Sequence, residues 1–318
     1  MPSQGSSPHT LTVAVWLSNK QLAYLRLQPR HALRLRQALP DLDWRFCDTK
    51  EEFLRALPDA DVAACWVFAS EWLPLAPRLR RIISPTAGNE WFPRELPPGL
   101  VLELSRFHGR IMAETVLGMI LCHCRGLLAA FRLQSVQAWP RLELEPGLST
   151  LHGSRLTLLG FGAIGTHIGR QAKAFGARLT GLRRTLSPLP EYFGPEDRLL
   201  PASALEQVLP ETDHLVVCLP ATAETDRILD ARRLALLPPQ AGLYNVGRGN
   251  ALDEEALASW LSAHPQAEAY LDVYRNEPLP ADSPLRRQPN CLLLPHISAL
   301  APTFLDLFVE ELIERLES

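Results

Sequence analysis

Short apolar runs separated by polar, helix-forming stretches run through the chain. In the first third, Leu11–Leu17, Val62–Phe68, Arg81–Ser84 and Val101–Leu104 are apolar and brief, and proline clusters at Pro74–Pro77 and Pro93–Pro98 break the intervening sequence into loops. Strands of this kind alternating with helical stretches predict a parallel sheet covered on both faces. The segment Arg110–Leu133 then carries apolar residues at helical spacing, with Met112, Val116, Met119 and Ile120 on one face, which predicts one long helix. Beyond a loop at Trp139–Gly153 the alternation returns. Strands are predicted at Arg155–Leu159, Arg178–Leu182, His214–Leu219, Gly242–Val246, Glu268–Asp272 and Cys291–Leu294. Helices are predicted between them at Ile164–Phe175, Ala202–Leu209, Ala231–Leu236 and Asp253–Ala263. A last amphipathic helix, Pro302–Glu317, is expected to return to the first lobe. The expected fold is α/β with two lobes, each a parallel sheet flanked by helices.

Composition narrows the function classes. The 318 residues suffice for two moderate domains, and 32 basic against 35 acidic side chains leave a formal charge of −3. Neither nucleic acid nor an anionic membrane is therefore expected as the main partner. Lys20, Lys50 and Lys173 are the only lysines among the 32 basic residues, so arginine is meaningful only where its position is. Six cysteines without a CxxC pair read as reduced core residues. Cys122-His123-Cys124 has the composition of a metal cluster, but positions i and i+2 of a helix point apart, and no metal is expected there. No apolar run reaches the ~20 residues that span a bilayer. Met1–His9 lacks the pattern of a secretion signal and reads as a short tail, so a cytoplasmic location is expected.

Gly160-Phe161-Gly162-Ala163-Ile164-Gly165 is a G-x-G-x-x-G that follows an apolar strand and opens a helix, the context in which this pattern is informative. Gly160 permits the turn, Gly162 lets backbone approach a pyrophosphate, and Gly165 lets the helix pack close to the strand. The helix N-terminus offers free N–H groups and a positive dipole end to the phosphates. About 20 residues on, a carboxylate would bind the ribose 2′-hydroxyl of NAD. The sequence there is Arg183-Arg184-Thr185 instead. Guanidinium groups suit a 2′-phosphate, so NADP(H) is expected over NAD(H).

Five segments occur in a characteristic order: Leu158–Gly165, His214–Pro220 with Glu224-Thr225 after it, Asn245–Gly249, Leu271–Pro280 and Leu294–Ile297. In these the chain resembles the D-isomer-specific 2-hydroxyacid dehydrogenases, and most of all their glyoxylate/hydroxypyruvate reductase branch. The resemblance runs from about Val62 to the C-terminus and is best in the second lobe. It implies a Rossmann dinucleotide lobe at 106–294 and a flavodoxin-like substrate lobe at 1–105 plus 295–318. It implies catalytic roles for Arg248, Glu277 and His296, and a substrate pocket that includes Ala87 and Gly88 with Arg248 and His296. The rest of the implied cofactor site is Cys218, Leu219, Pro220, Val246, Gly247, Asp272 and Ser298. After Gly88 the chain departs from the pattern, with Asn89-Glu90-Trp91-Phe92 where many relatives have Val-Asp.

The chemistry accounts for these residue types. A 2-keto acid presents a carboxylate and a carbonyl, which a guanidinium can hold together. Imidazole can supply the proton that the carbonyl oxygen takes up, and a neighbouring carboxylate can orient the ring. The resemblance implies NADPH-dependent reduction of a small 2-keto acid such as glyoxylate or hydroxypyruvate to the D-2-hydroxy acid, by a homodimer. Two other readings remain at this point: a non-catalytic nicotinamide-sensing regulator, and a dehydrogenase of another small acid such as phosphite or formate. Glu277 speaks against formate, because formate-oxidising relatives carry glutamine as the histidine's partner.

Overall fold

The chain folds as two parallel sheets in a computed structural model that describes residues 10–19, 22–137 and 139–317. Met1–His9 lies outside the described residues. Two compact units result: Met1–His108 with Leu300–Ser318, and Gly109–Ala299. The chain re-enters the first unit at Leu300, so His296 and Ser298 belong to the second.

In the first unit β1 (Thr12–Trp16), β2 (Asp43–Phe46), β3 (Val62–Cys65), β4 (Arg81–Ser84) and β5 (Val101–Leu104) form a sheet of order β2-β1-β3-β4-β5. This is the order of flavodoxin-like sheets. Helices α1 (Pro29–Ala38) and α2 (Lys50–Ala56) follow β1 and β2. Pro29 stands in the first turn of α1, where its missing N–H costs nothing, and the Thr49 hydroxyl caps α2 by accepting from Glu52 N–H at 3.2 Å. β2 is a four-residue edge strand whose apolar positions, Trp44 and Phe46, alternate with Asp43 and Arg45, too short a run to stand out as a strand in the sequence. The chain's last helix, Phe304–Glu317, docks on α1 through Arg30 and His31 to Asp306, both at 3.0 Å.

After β5 in the chain the expected single helix is two: α3 (His108–Cys124) and α4 (Leu127–Leu133), bent by 61°. The break falls at Gly126, whose φ of +59° is left-handed and ends an α-helical run. Apolar periodicity continues across the break, which is why sequence alone reads through it. Among the described residues no single helix is long and apolar enough to cross a membrane. A short helix α5 (Arg141–Leu144) follows.

The second unit's strands are β6 (Arg155–Leu159), β7 (Arg178–Arg183), β8 (Arg198–Pro201), β9 (His214–Val217), β10 (Gly242–Asn245), β11 (Glu268–Leu271) and β12 (Cys291–Leu293). Their order is β12-β11-β10-β9-β6-β7-β8, all parallel. The crossovers include α6 (Ala163–Ala174), α7 (Leu205–Val208), α8 (Ala231–Leu234) and α9 (Glu254–Ala263), and the chain ends in α10 (Phe304–Glu317). Every residue of β9, β10 and β11 is buried, as strands covered on both faces must be. The predicted helix at Ala202–Leu209 is instead a tight 3₁₀–α–3₁₀ succession over Ala202–Glu211. The strand order reverses between β6 and β9, and the crevice outside the carboxyl ends of two such strands is where open α/β sheets take ligands.

Residues of the Cys122-His123-Cys124 run have separate partners under α3. His123 Nδ1 lies 3.3 Å from Glu268 Oε2, which also accepts from the Tyr270 hydroxyl. Cys124 Sγ lies 3.6 Å from His214 Nε2, whose Nδ1 is 3.0 Å from the Tyr244 hydroxyl. Burial pushes the His214 imidazole down to about 3, with the nearby His123 adding to the effect.

Candidate active site

The glycine turn sits at the switch point. Gly160 has φ +105° and packs so tightly under the neighbouring strand end that a Cβ would stand 2.6 Å from Cys218 O. A Cβ at Gly165 would overlap the Gly160 carbonyl oxygen. Gly162, the N-cap of α6, has nothing within 4 Å of where a Cβ would be, and it and Ala163 are exposed. The turn is therefore closed on its sheet side and open at the helix N-terminus, the shape that takes a pyrophosphate. Phe161 is buried beneath Gly181 and contacts Phe193 edge-on, while Ile164 is half-buried.

At the end of β7, Arg183 is half-buried and its Nη1 donates to Ser187 Oγ at 2.5 Å. Arg184 and Thr185 are exposed beside it. Beyond β9, Cys218 and Leu219 are half-buried and Pro220 is exposed. Burial pushes the Cys218 thiol up to about 12, which favours the protonated form at neutral pH. Gly247 passes so close to this strand end that a Cβ would meet Leu219 N and O, both at 2.6 Å. Val246 is buried.

Three strand ends on one half of the sheet carry the remaining groups. Arg248 follows β10, is half-buried, and its Nη1 donates to Gly247 O at 2.9 Å. Glu277 follows β11 and His296 follows β12, and both are exposed. His296 Nδ1 is 2.7 Å from Glu277 Oε2, and Glu277 Oε1 accepts from Tyr274 N–H at 3.0 Å. With a carboxylate accepting at Nδ1, that nitrogen carries a proton and Nε2 is the one directed elsewhere. Asp272 is fully buried and receives Ile297 N–H and Ser298 N–H at 2.7 and 2.9 Å. Ser298 is buried, and its carbonyl accepts from Thr115 Oγ1 of α3 at 3.1 Å.

The structure thus pairs Glu277 with His296 and puts Arg248 on the adjoining strand end. Ala87 and Gly88 lie in the first unit after β4, where Thr86 Oγ1 donates to Gly88 O at 2.8 Å. Several residues that shape this region escaped the sequence reading. Asn245, Tyr274 and Thr115 all bond to the loops that carry the expected groups. A polar residue ending a buried strand, as Asn245 does, was the available signal.

Residues 117–298 match the family described as D-isomer specific 2-hydroxyacid dehydrogenase, NAD binding domain. The chain belongs to this family. The enzyme is accordingly an oxidoreductase that uses NAD(P). It is 32% identical over 236 residues to a glyoxylate/hydroxypyruvate reductase B of Pectobacterium atrosepticum, with 72% of each chain covered. Among solved structures it is similar to a D-isomer specific 2-hydroxyacid dehydrogenase from Xanthobacter autotrophicus in complex with NADPH and MES. There the TM-score is 0.77 and the identity 26%, covering 97% of this chain and 95% of that one. It is also similar to an NADPH-dependent glyoxylate/hydroxypyruvate reductase from Sinorhizobium meliloti in complex with NADP and sulfate. In that case the TM-score is 0.75 and the identity 26%, covering 97% and 95%.

Proposed function

We propose that the enzyme reduces small 2-keto acids, glyoxylate and hydroxypyruvate among them, to D-2-hydroxy acids with NADPH in preference to NADH. The observation that carries the reading is the 2.7 Å contact between His296 Nδ1 and Glu277, beside the strand end that bears Arg248. The glycine turn fits the dinucleotide's pyrophosphate, for the reasons of space given above. When bound, the nicotinamide supplies the hydride that adds to the keto carbon. Arg248 would hold the substrate carboxylate and the keto oxygen through its planar fork and stabilise the charge that grows on that oxygen. His296, protonated at both nitrogens, would hand its Nε2 proton to the same oxygen. Glu277 would keep the ring oriented through the cycle. Asp272 and Ser298 would border the nicotinamide.

NADPH preference is supported by Arg183 and Arg184, with no carboxylate at the end of β7, and by the NADPH-dependent relative from Sinorhizobium meliloti. A homodimer is supported by the apolar side chains exposed along and after α4: Leu127, Phe131, Val136, Trp139 and Leu142 are 54–84% exposed.

Steady-state kinetics with NADPH and NADH across glyoxylate, hydroxypyruvate, pyruvate and longer 2-keto acids test this. NADPH should give the higher kcat/KM with the two-carbon and three-carbon acids. His296→Ala should lower kcat about 10²–10⁴-fold while NADPH affinity stays within about twofold. Equal loss of kcat and NADPH affinity, or a tenfold preference for NADH, would overturn the corresponding part of the reading.

A further inference from the structure

Two polar side chains with no part in the proton transfer above end adjacent strands, and both are 0% exposed: Asn245 closes β10 and Asp272 follows β11. Polar groups are buried this completely only when their hydrogen bonds are made, so where those bonds go is informative. Asn245 spends its amide on the turn ahead of it. Its Oδ1 accepts Gly247 N–H at 3.1 Å and its Nδ2 donates to Arg248 O at 3.2 Å. Asp272 does the same for the neighbouring loop. Its carbonyl accepts His296 N–H at 2.9 Å, and its two carboxylate oxygens take Ile297 and Ser298. Three consecutive amides end on one residue. They fix His296 at φ +55°, a left-handed conformation that a residue with a side chain holds only when its surroundings enforce it.

The two clamps are joined, because Asp272 N–H donates to Asn245 O at 3.0 Å. A second strap runs alongside. Gly249 packs against the Tyr274 peptide so closely that a Cβ there would overlap it. Tyr274 N–H holds Glu277, and Glu277 holds His296. Arg248 and His296 are thus tied by two short routes through buried or packed backbone.

We propose that Asn245 is a positioning residue for Arg248, and that the linked pair Asn245–Asp272 sets the guanidinium in register with His296. The inference rests on the roles given to Arg248 and His296 above. It requires that loss of the Asn245 amide act through Arg248 and not through nucleotide binding or general stability.

The test compares the wild type, Asn245→Ala and Asn245→Asp, the last of which keeps an acceptor for Gly247 N–H. Glyoxylate kinetics, NADPH affinity by fluorescence and amide exchange across residues 246–252 are read on each. Asn245→Ala should lower kcat/KM for glyoxylate at least tenfold, mostly through KM, with NADPH affinity within about twofold and faster exchange over 246–252. Asn245→Asp should fall between it and the wild type, and serves alone if the alanine variant does not fold. In an Arg248→Lys background the same substitution at Asn245 should cost less than threefold, because the group it positions is already gone. Undiminished kcat/KM with unchanged exchange, an equal cost in the lysine background, or a loss that follows NADPH affinity would each overturn the inference. A wild type inert toward every 2-keto acid would overturn the functional reading alone, and the exchange comparison would still decide the clamp.

Discussion

Gly162 and Gly165 share one turn but answer to different constraints, and substitution separates them. At Gly162 the space beside Cα is open, so a methyl group meets no protein atom. Gly162→Ala should cost under about 1 kcal/mol of stability as an N-cap change. It should weaken NADPH binding at least tenfold, because the methyl occupies room the pyrophosphate uses. At Gly165 a methyl group collides with the Gly160 carbonyl, so Gly165→Ala should lose about 1–3 kcal/mol as well as binding. Thermal unfolding with and without NADPH reads both effects. Native NADPH affinity in Gly162→Ala would refute the first. Residues of this kind were legible in the sequence because a spaced glycine pattern is local. Asn245 bonds only two and three positions ahead and is marked by its place at the end of a buried strand, but Asp272 is not legible as a clamp, because the amides it receives lie more than twenty positions further along the chain. No periodicity reports a hydrogen bond of that span.

Among the elements, α3 and the strands beneath it enclose His214, which should give the fold an acid limb. His214 is held to about 3 by burial, whereas the unfolded chain takes up that proton near 6.5. As the pH falls from 6.5 toward 3, the unfolded state binds a proton that the folded state refuses, and stability drops. Between pH 7 and 4.5 the loss from this residue should be roughly 2–3 kcal/mol. Urea unfolding at the two pH values measures it, and His214→Gln should shrink the difference. An equal pH loss in both proteins would assign the acid limb elsewhere. The central strands were legible as elements because parallel strands covered on both faces are continuous apolar runs. The edge strands β2 and β8 escape the pattern, being four residues long, flanked by charged positions and paired on one side only.

At the scale of the molecule, the row of exposed apolar side chains on and after α4 bears on assembly. Light scattering should give twice the 35.5 kDa chain mass, and Phe131→Asp combined with Leu142→Asp should return the single-chain value. A wild type that runs at one chain mass would remove the homodimer. The strand order has a consequence of another sort. Arg248, Glu277 and His296 follow β10, β11 and β12 on one side of the switch point, while Arg183 and Arg184 follow β7 on the other. Descendants of this chain could therefore change their currency of reducing power by edits along one flank. The groups proposed to deliver the proton would be inherited untouched.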